Sequence, residues 1–471
     1  MIINTRTKYF YGLGFISVGI KDILYTLFVF FYFNQILGLD PVYTGAATFI
    51  AIFFDAFSDP LIGIISDSYK SKTWGRRHPF MFVSAIPLGL STWLLFIPPS
   101  YLSEFQIFCW LTSFSILIRF FLTIYLVPAM SLGAELTPNY EERTIITSFR
   151  ITFTVLMQPF IFLVGIYLFF VQEEGMTTGL ENADAYAPFA FFCGTIMTLS
   201  ILISTYGTKN TIPFLPKESK KENLSSIFKN IKTAFKMKSF TSIVFFTAMV
   251  YTSFGIGNTM STYLLTYVFE FDEIDILSIV FAGALGGLIS AYIAPKFGKI
   301  FDKKKATIIC TILFSLGMAS PYILRLLNLM PFNDDPFVVL SFFILYSFGF
   351  TFLWSAMSLS TSMMADVVDQ YETFTNKRHE GMFFSTLSFS YKCTVGLGYL
   401  VGGLLLKLIS FPTQTKLENI DPQVITDLTI IGGPFIFLVY FSSMLFLLGY
   451  PIDRKTYNKI RNQLDLNKNE Y

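Results

Sequence analysis

Apolar runs of about 20 residues recur along the whole chain, each long enough to cross a ~30 Å hydrocarbon layer. They lie roughly at 9–37, 43–67, 79–98, 105–133, 145–171, 186–206, 239–267, 274–296, 306–325, 336–364, 382–410 and 427–450. Lipid offers the backbone no hydrogen-bonding partner, so such runs must satisfy themselves as helices. Composition agrees: 53% of the 471 residues are hydrophobic and only 14% are charged, where a soluble domain carries about a quarter charged. The expectation is an all-α membrane protein of about twelve transmembrane helices. The first run holds Lys21 and Asp22 in its middle and is too long for the apolar core of a cleavable leader, so it reads as the first span.

Basic residues mark alternate connections: Arg6 and Lys8; Lys70, Lys72, Arg76 and Arg77; Lys209 to Lys238; Lys296 to Lys305; Lys377 and Arg378; Arg454 to Lys468. The opposite connections hold almost none, Lys416 being the main exception. The positive-inside rule then puts both termini in the cytoplasm. The longest polar interval, about 207–238, parts six spans from six. The plan is an N-terminal six-helix bundle over 1–207, a basic cytoplasmic linker over 208–238, a C-terminal six-helix bundle over 239–451 and a cytoplasmic tail over 452–471. Within the linker, "LSSIFKNIKTAFKMK" reads either as an amphipathic helix on the inner membrane surface or as a plain solvated segment. Two six-span halves joined in this way are the plan of major facilitator transporters.

Other classes find little support. The four cysteines all fall in apolar segments, so no disulfide framework is implied. The two histidines, His78 and His379, lie in polar loops, which argues against a histidine-built metal site. No phosphate loop, nucleophile elbow or metal-ligand cluster is visible, so the chain does not read as an enzyme and calls for no cofactor. A formal net charge of +2 gives no reason to expect a nucleic-acid partner. The expected partners are a small-molecule substrate and the lipid bilayer of the cell membrane, the protein acting as a monomer.

Ionisable groups at the membrane centre cost several kcal/mol unless paired or hydrated, and so mark a pathway by default. The candidates are Lys21, Asp22, Asp55, Asp59, Arg119, Arg150 and Lys392, three acids against four bases. In "FFDAFSDPLIGIISD" Asp55 and Asp59 share one helical face, about 6 Å apart along the axis. Two such carboxylates do not both stay ionised cheaply; one protonates, or a cation sits between them. Pro60 frees a carbonyl one turn earlier, near Ala56, as a further oxygen ligand. The stretch therefore reads as a site for Na⁺, Li⁺ or a proton. The alternative is that these acids only salt-bridge Lys21, Arg119 or Lys392.

Four ordered motifs carry a resemblance that spans nearly the whole chain: "GLGFISVGIKD", "FFDAFSDPLIGIISD…KSKTWGRRHPF", "VPAMSLGAELTPNYEERTIITSFR" and "MMADVVDQYETFTNKRHEGMFFSTLSFSYK". In these the sequence resembles the glycoside–pentoside–hexuronide:cation symporters, the group that contains the melibiose carrier. The resemblance implies the major facilitator fold and cation-coupled import of a sugar, glycoside or hexuronide by alternating access, with Na⁺ or H⁺ as coupling ion. It implies that Asp55 and Asp59 hold the cation, that Asp22 and Arg150 contact substrate hydroxyls, and that Lys392 lies at the cation pathway, with Lys21 beside it.

Departures from the melibiose pattern stand at three positions. Leu126 replaces an aspartate before Val127-Pro128, and Met130 and Met357 fall where that carrier has aromatics. Two residues are candidates to compensate. Arg119 lies seven positions before Leu126, on the same helix face, and either meets an anionic substrate group or neutralises a span-two acid. Trp354, one turn before Met357, either supplies an aromatic face to the substrate or packs. Charges near the span ends, namely Asp67, Arg76, Arg77, Glu141, Glu142 and Arg143, with Asp366, Asp369, Arg378 and Glu380 in the second half, read as gating ion pairs. Two other functions stay open: a lysolipid or amphiphile carrier of the same superfamily, favoured by the greasier site, and a non-transporting membrane sensor.

Overall fold

A computed structural model describes residues 4–69, 71, 73–137, 140–172, 178–214, 233–375, 380–415 and 419–469. Twelve of its helices are long and apolar enough to cross a membrane. They are α1 (Thr5–Ile36), α2 (Pro41–Ser68), α3 (His78–Leu95), α4 (Glu104–Glu135), α5 (Tyr140–Leu168) and α6 (Ala183–Thr208). The second set is α7 (Lys238–Val268), α8 (Glu273–Phe301), α9 (Lys303–Leu326), α10 (Phe337–Thr375), α11 (Glu380–Leu408) and α12 (Pro422–Leu448). No strand occurs among the described residues. The larger part of the linker, 215–232, lies outside them, and with it most of the segment read as an amphipathic helix.

Local sequence explains where the helices start. Asp40 caps α2, its carboxylate accepting from the Val42 backbone N–H, and Pro41 fills the first turn, where no intrahelical donor is needed. Ser103 and Gln106 form a reciprocal capping box at the head of α4. Hydropathy marks the ends less well. α10 continues to Thr375, beyond the apolar run expected to stop near 364, because its last turns bury Val367, Val368 and Tyr371 beside Asp366 and Asp369. His78 also departs from its polar-loop reading: it opens α3, fully buried, with Nε2 3.1 Å from Thr208 Oγ1. A further helix, α13 (Arg454–Asn469), follows the last span.

α1 is not a uniform α-helix. Two π-helical turns, Leu24–Phe28 and Tyr32–Ile36, flank one turn of α-helix. A third ends α7 at Leu264–Val268, and a fourth, Ile431–Phe435, lies inside α12. Each wide turn re-aims the side chains that follow it, and such turns are frequent at functional sites.

The chain divides into two compact units. One comprises Met1–Lys220, Ser261–Leu277 and Tyr399–Ile420; the other comprises Lys221–Met260, Ser278–Gly398 and Asp421–Tyr471. The two short stretches join the first unit through packing on α1. Tyr263 stacks edge-on against Phe31 and against Phe411, and Thr262 donates to the Leu27 carbonyl at 3.0 Å. Within that unit α1 and α5 approach closely enough to exclude a side chain: a Cβ at Gly19 would lie 2.3 Å from the Thr154 carbonyl oxygen. The glycine thereby brings the α1 face bearing Phe15 and Val18 against the α5 face bearing Arg150 and Thr154.

Candidate transport site

α2 passes unbroken through Asp55 and Asp59, which holds the two carboxylates on one face. α4 supplies the group between them. Thr123 Oγ1 lies 2.7 Å from Asp55 Oδ1 and 3.0 Å from Asp59 Oδ1. A hydroxyl has one proton to donate. With both acids ionised, one of these contacts would set oxygen against oxygen with no hydrogen between them. A proton on one acid, or a cation beside the three oxygens, resolves the conflict. Pro60, inside the same helix, leaves the Ala56 carbonyl without its helical donor. Oxygen sets of this kind suit hard cations.

Arg119 stands one turn before Thr123 on α4. Its Nη1 is 3.8 Å from Asp55 Oδ2, and its guanidinium lies 4.9 Å from the centre of the Tyr25 ring. Tyr25 belongs to the first π turn of α1. Arg119 therefore sits on the acid side of α4, 8% exposed. Lys21 pairs with its sequence neighbour Asp22.

Three residues further along α4 the character changes. Leu126 lines a cavity of about 200 Å³ together with Phe15 and Val18 of α1 and Arg150, Ile151, Thr154 and Val155 of α5. Thr154 Oγ1 has its proton occupied locally, 3.1 Å from the Arg150 carbonyl and 3.4 Å from the Phe15 carbonyl. The guanidinium of Arg150 lies 5.7 Å from the centre of the Phe15 ring. Among the described residues no carboxylate pairs with it.

The remaining candidates belong to the second unit. Lys392 is half-buried on α11. Trp354 of α10 is 43% exposed and its indole borders Gly287 of α8. Met357 is buried one turn on from Trp354, whereas Met130 of α4, in the first unit, is exposed.

At the ends of the helices the ion pairs differ from those the spacing suggests. Glu135 of α4 accepts from both Arg76, at 2.7 Å, and Arg77, at 2.8 Å, and Arg77 also meets Asp67 and Ser66. Glu142 takes Lys8 of α1 at 2.9 Å. In the second unit Asp366 pairs with Lys303 at 2.6 Å. Asp369 is met by Arg461 at 3.7 Å and by the Tyr457 hydroxyl at 3.3 Å, both from α13. Arg378 and the side chains of Glu141, Arg143 and Glu380 lie outside the described residues.

A neutral polar seam follows the second π turn of α1. The Tyr263 hydroxyl donates to Asn34 Oδ1 at 2.5 Å, Asn34 Nδ2 to the Leu39 carbonyl at 2.7 Å, and Gln35 Nε2 to the Pro412 carbonyl at 3.2 Å. Beside it Lys407 reaches Asp40 at 2.7 Å.

Residues 10–454 match the family described as MFS/sugar transport protein. The chain belongs to that family. Within it, the chain is one of the glycoside–pentoside–hexuronide:cation symporters, hence a multi-pass transporter of the cell membrane and not an enzyme. It is 23% identical to the sodium-dependent lysophosphatidylcholine symporter 1 of Gallus gallus, over 91% of this chain and 83% of that one. It is 23% identical to the isoprimeverose transporter of Lactiplantibacillus pentosus, over 85% of this chain and 79% of that one. Among solved structures, the inward-open xylose transporter XylE of E. coli superposes with a TM-score of 0.60 at 13% identity, covering 97% of this chain and 98% of that one. That likeness concerns the fold alone.

Reasoning from sequence missed Thr123, Glu135, Lys303, Tyr457, Arg461 and the Asn34–Gln35 seam. Thr123 had a usable signal: it lies at i+4 from Arg119, a polar residue on the same stripe of an otherwise apolar helix. Glu135 had a weaker one, an acid at the very end of an apolar run. The partners from α13 had none, since a tail helix's docking site is not written in its own periodicity.

Proposed function

We propose that this family member is a cation-coupled symporter that imports a sugar, glycoside or hexuronide by alternating access, with Na⁺ or H⁺ as the coupling ion. The observation that carries the coupling is the single Thr123 hydroxyl set between Asp55 and Asp59. Three oxygens set around one hydroxyl proton make a site that a proton or a monovalent cation would complete. Arg119, 3.8 Å from Asp55, then competes with the cation for the same carboxylate, so cation arrival loosens α4 from α2. Such differential contact is what lets binding bias a two-state equilibrium. Lys392, with Lys21, belongs to the cation pathway in this reading. Asp22 and Arg150 face substrate, and Trp354 offers it an aromatic surface. The ion pairs of Asp67, Arg76, Arg77 and Glu135, and those of Asp366 and Asp369, act as cytoplasmic latches, with both termini on that side.

Uptake into proteoliposomes with Na⁺ and H⁺ gradients imposed separately tests the reading. Accumulation driven by one gradient, and lost in Asp59→Asn, is the expected result. Accumulation that ignores both gradients refutes it. A second reading, an amphiphile carrier, is favoured by the apolar wall of the Arg150 cavity and by the relative named for lysophosphatidylcholine. It is checked by including that lipid in the panel.

A further inference from the structure

Three buried polar atoms beside the paired aspartates are left unsatisfied. The Tyr25 hydroxyl of α1 and, from α4, the Ser115 hydroxyl and Arg119 Nε are shut off from solvent and make no hydrogen bond among the described residues. Each of the three residues is more than nine-tenths buried. Orphaned polar groups at such depth are costly, and each calls for an explanation. They are grouped around one side chain. The Arg119 guanidinium lies 4.9 Å from the centre of the Tyr25 ring, within cation–π range. Ser115 precedes Arg119 by four residues on the same helix, one turn away on the same face.

Arg119 is held loosely where it stands. Its Nη1 is 3.8 Å from Asp55 Oδ2, well beyond the ~2.8 Å of a charge-assisted hydrogen bond. A long side chain on a helix leans toward the preceding turn, which for Arg119 is the turn of Ser115 and not that of Thr123. Tyr25 is itself fixed: it lies in the first π turn of α1, and its carbonyl accepts from the Tyr399 hydroxyl of α11 at 3.3 Å. We infer that Tyr25 and Ser115 form a second seat for Arg119, which the guanidinium takes when the coupling cation occupies Asp55 and Asp59. Tyr25 is then a positioning residue of the coupling step. It acts on the cation only through Arg119, offering the displaced charge a ring face and, with Ser115, two hydroxyl oxygens that accept its N–H groups. This rests on the cation-coupled reading above and adds what sets the affinity of that site. Without a second seat, each arriving cation would strand a guanidinium inside the membrane; with one, the charge that leaves Asp55 moves to another partner.

Cation binding is read on the purified full-length protein without substrate, from the rise in melting temperature as NaCl replaces choline chloride at constant ionic strength, and separately as the pH is lowered. A cation that binds the folded state raises its melting temperature, and Asp59→Asn supplies the background to subtract. Removing the competitor in Arg119→Met should tighten cation binding about fivefold, and removing the second seat in Tyr25→Leu should weaken it about fivefold. Tyr25→Phe keeps the ring and should fall between wild type and Tyr25→Leu. Placed on Arg119→Met, Tyr25→Leu should have no effect, because the two act as one unit. Opposite shifts from neighbouring residues separate two seats from a packing defect, which would weaken binding in both variants. Should Tyr25→Leu fail to fold, Ser115→Ala carries the same test, with binding weakened about threefold when Arg119 is present and unchanged when it is not. Two results overturn the inference alone: cation binding unaltered in Tyr25→Leu or Ser115→Ala, or binding weakened by them equally in the absence of Arg119. A wild type that responds to neither cation beyond the Asp59→Asn background overturns the coupling reading and this inference with it, so the two failures are told apart.

Discussion

Two stretches of α4, three residues apart, handle charge in opposite ways. At Thr123 the helix faces a crowd: two carboxylates, a hydroxyl and the Arg119 guanidinium on the next turn. At Leu126 it faces hydrocarbon and one arginine that meets no acid among the described residues. In the proposed reading the crowded site takes the coupling cation, and the sparse one borders the substrate. Neutralising a charge should therefore have different consequences on the two sides of this boundary.

The largest effect should come from the crowded side. Asp59→Asn removes the charge that calls for the cation, and gradient-driven accumulation should fall by about a hundredfold or more, while exchange without a gradient survives. Arg119→Met should follow. It removes the guanidinium beside Asp55, and breaking a buried ion pair costs about 3–5 kcal/mol, so the melting temperature in detergent should drop clearly. Arg150→Gln removes an equally charged group but should leave melting unchanged. Equal losses in these two variants would erase the distinction between the sites. Thr123→Val should weaken activation by the coupling cation by about tenfold, the scale of one hydrogen bond to a charged group, and Thr123→Ser should restore it. Smallest of all is Lys407→Met. Its pair with Asp40 is exposed, and such pairs contribute little; no change in melting or uptake is expected.

The fold was largely legible because its logic is solvent logic. Lipid forces each apolar run to be a helix, so the twelve spans could be found from run length alone. Helix ends were harder, since α10 runs past its apolar stretch and stops according to what its last turns pack against. The acids at Asp55 and Asp59 could be found because charge in lipid is conspicuous, and their shared face follows from a spacing of four. Thr123 escaped notice because a threonine in a transmembrane helix is unremarkable until its neighbour is known. Arg119 and Arg150 looked alike in sequence, each a lone arginine in an apolar run. Only tertiary packing shows that one lies beside an acid and the other beside a ring. The end clusters illustrate the same limit. Arg76 and Arg77 plainly need an acid, but nothing local indicates that both converge on a single oxygen of Glu135.

The single hydroxyl shared by Asp55 and Asp59 also has an electrical consequence. In the proposed reading the site takes one monovalent ion per cycle. If the solute at Arg150 bears one negative charge, the loaded carrier moves no net charge across the bilayer. The membrane voltage, worth about 2.3 kcal/mol per elementary charge at 100 mV, then does no work on the cycle. Accumulation would be set by the two concentration ratios alone, and transport would continue undiminished in vesicles clamped at zero potential.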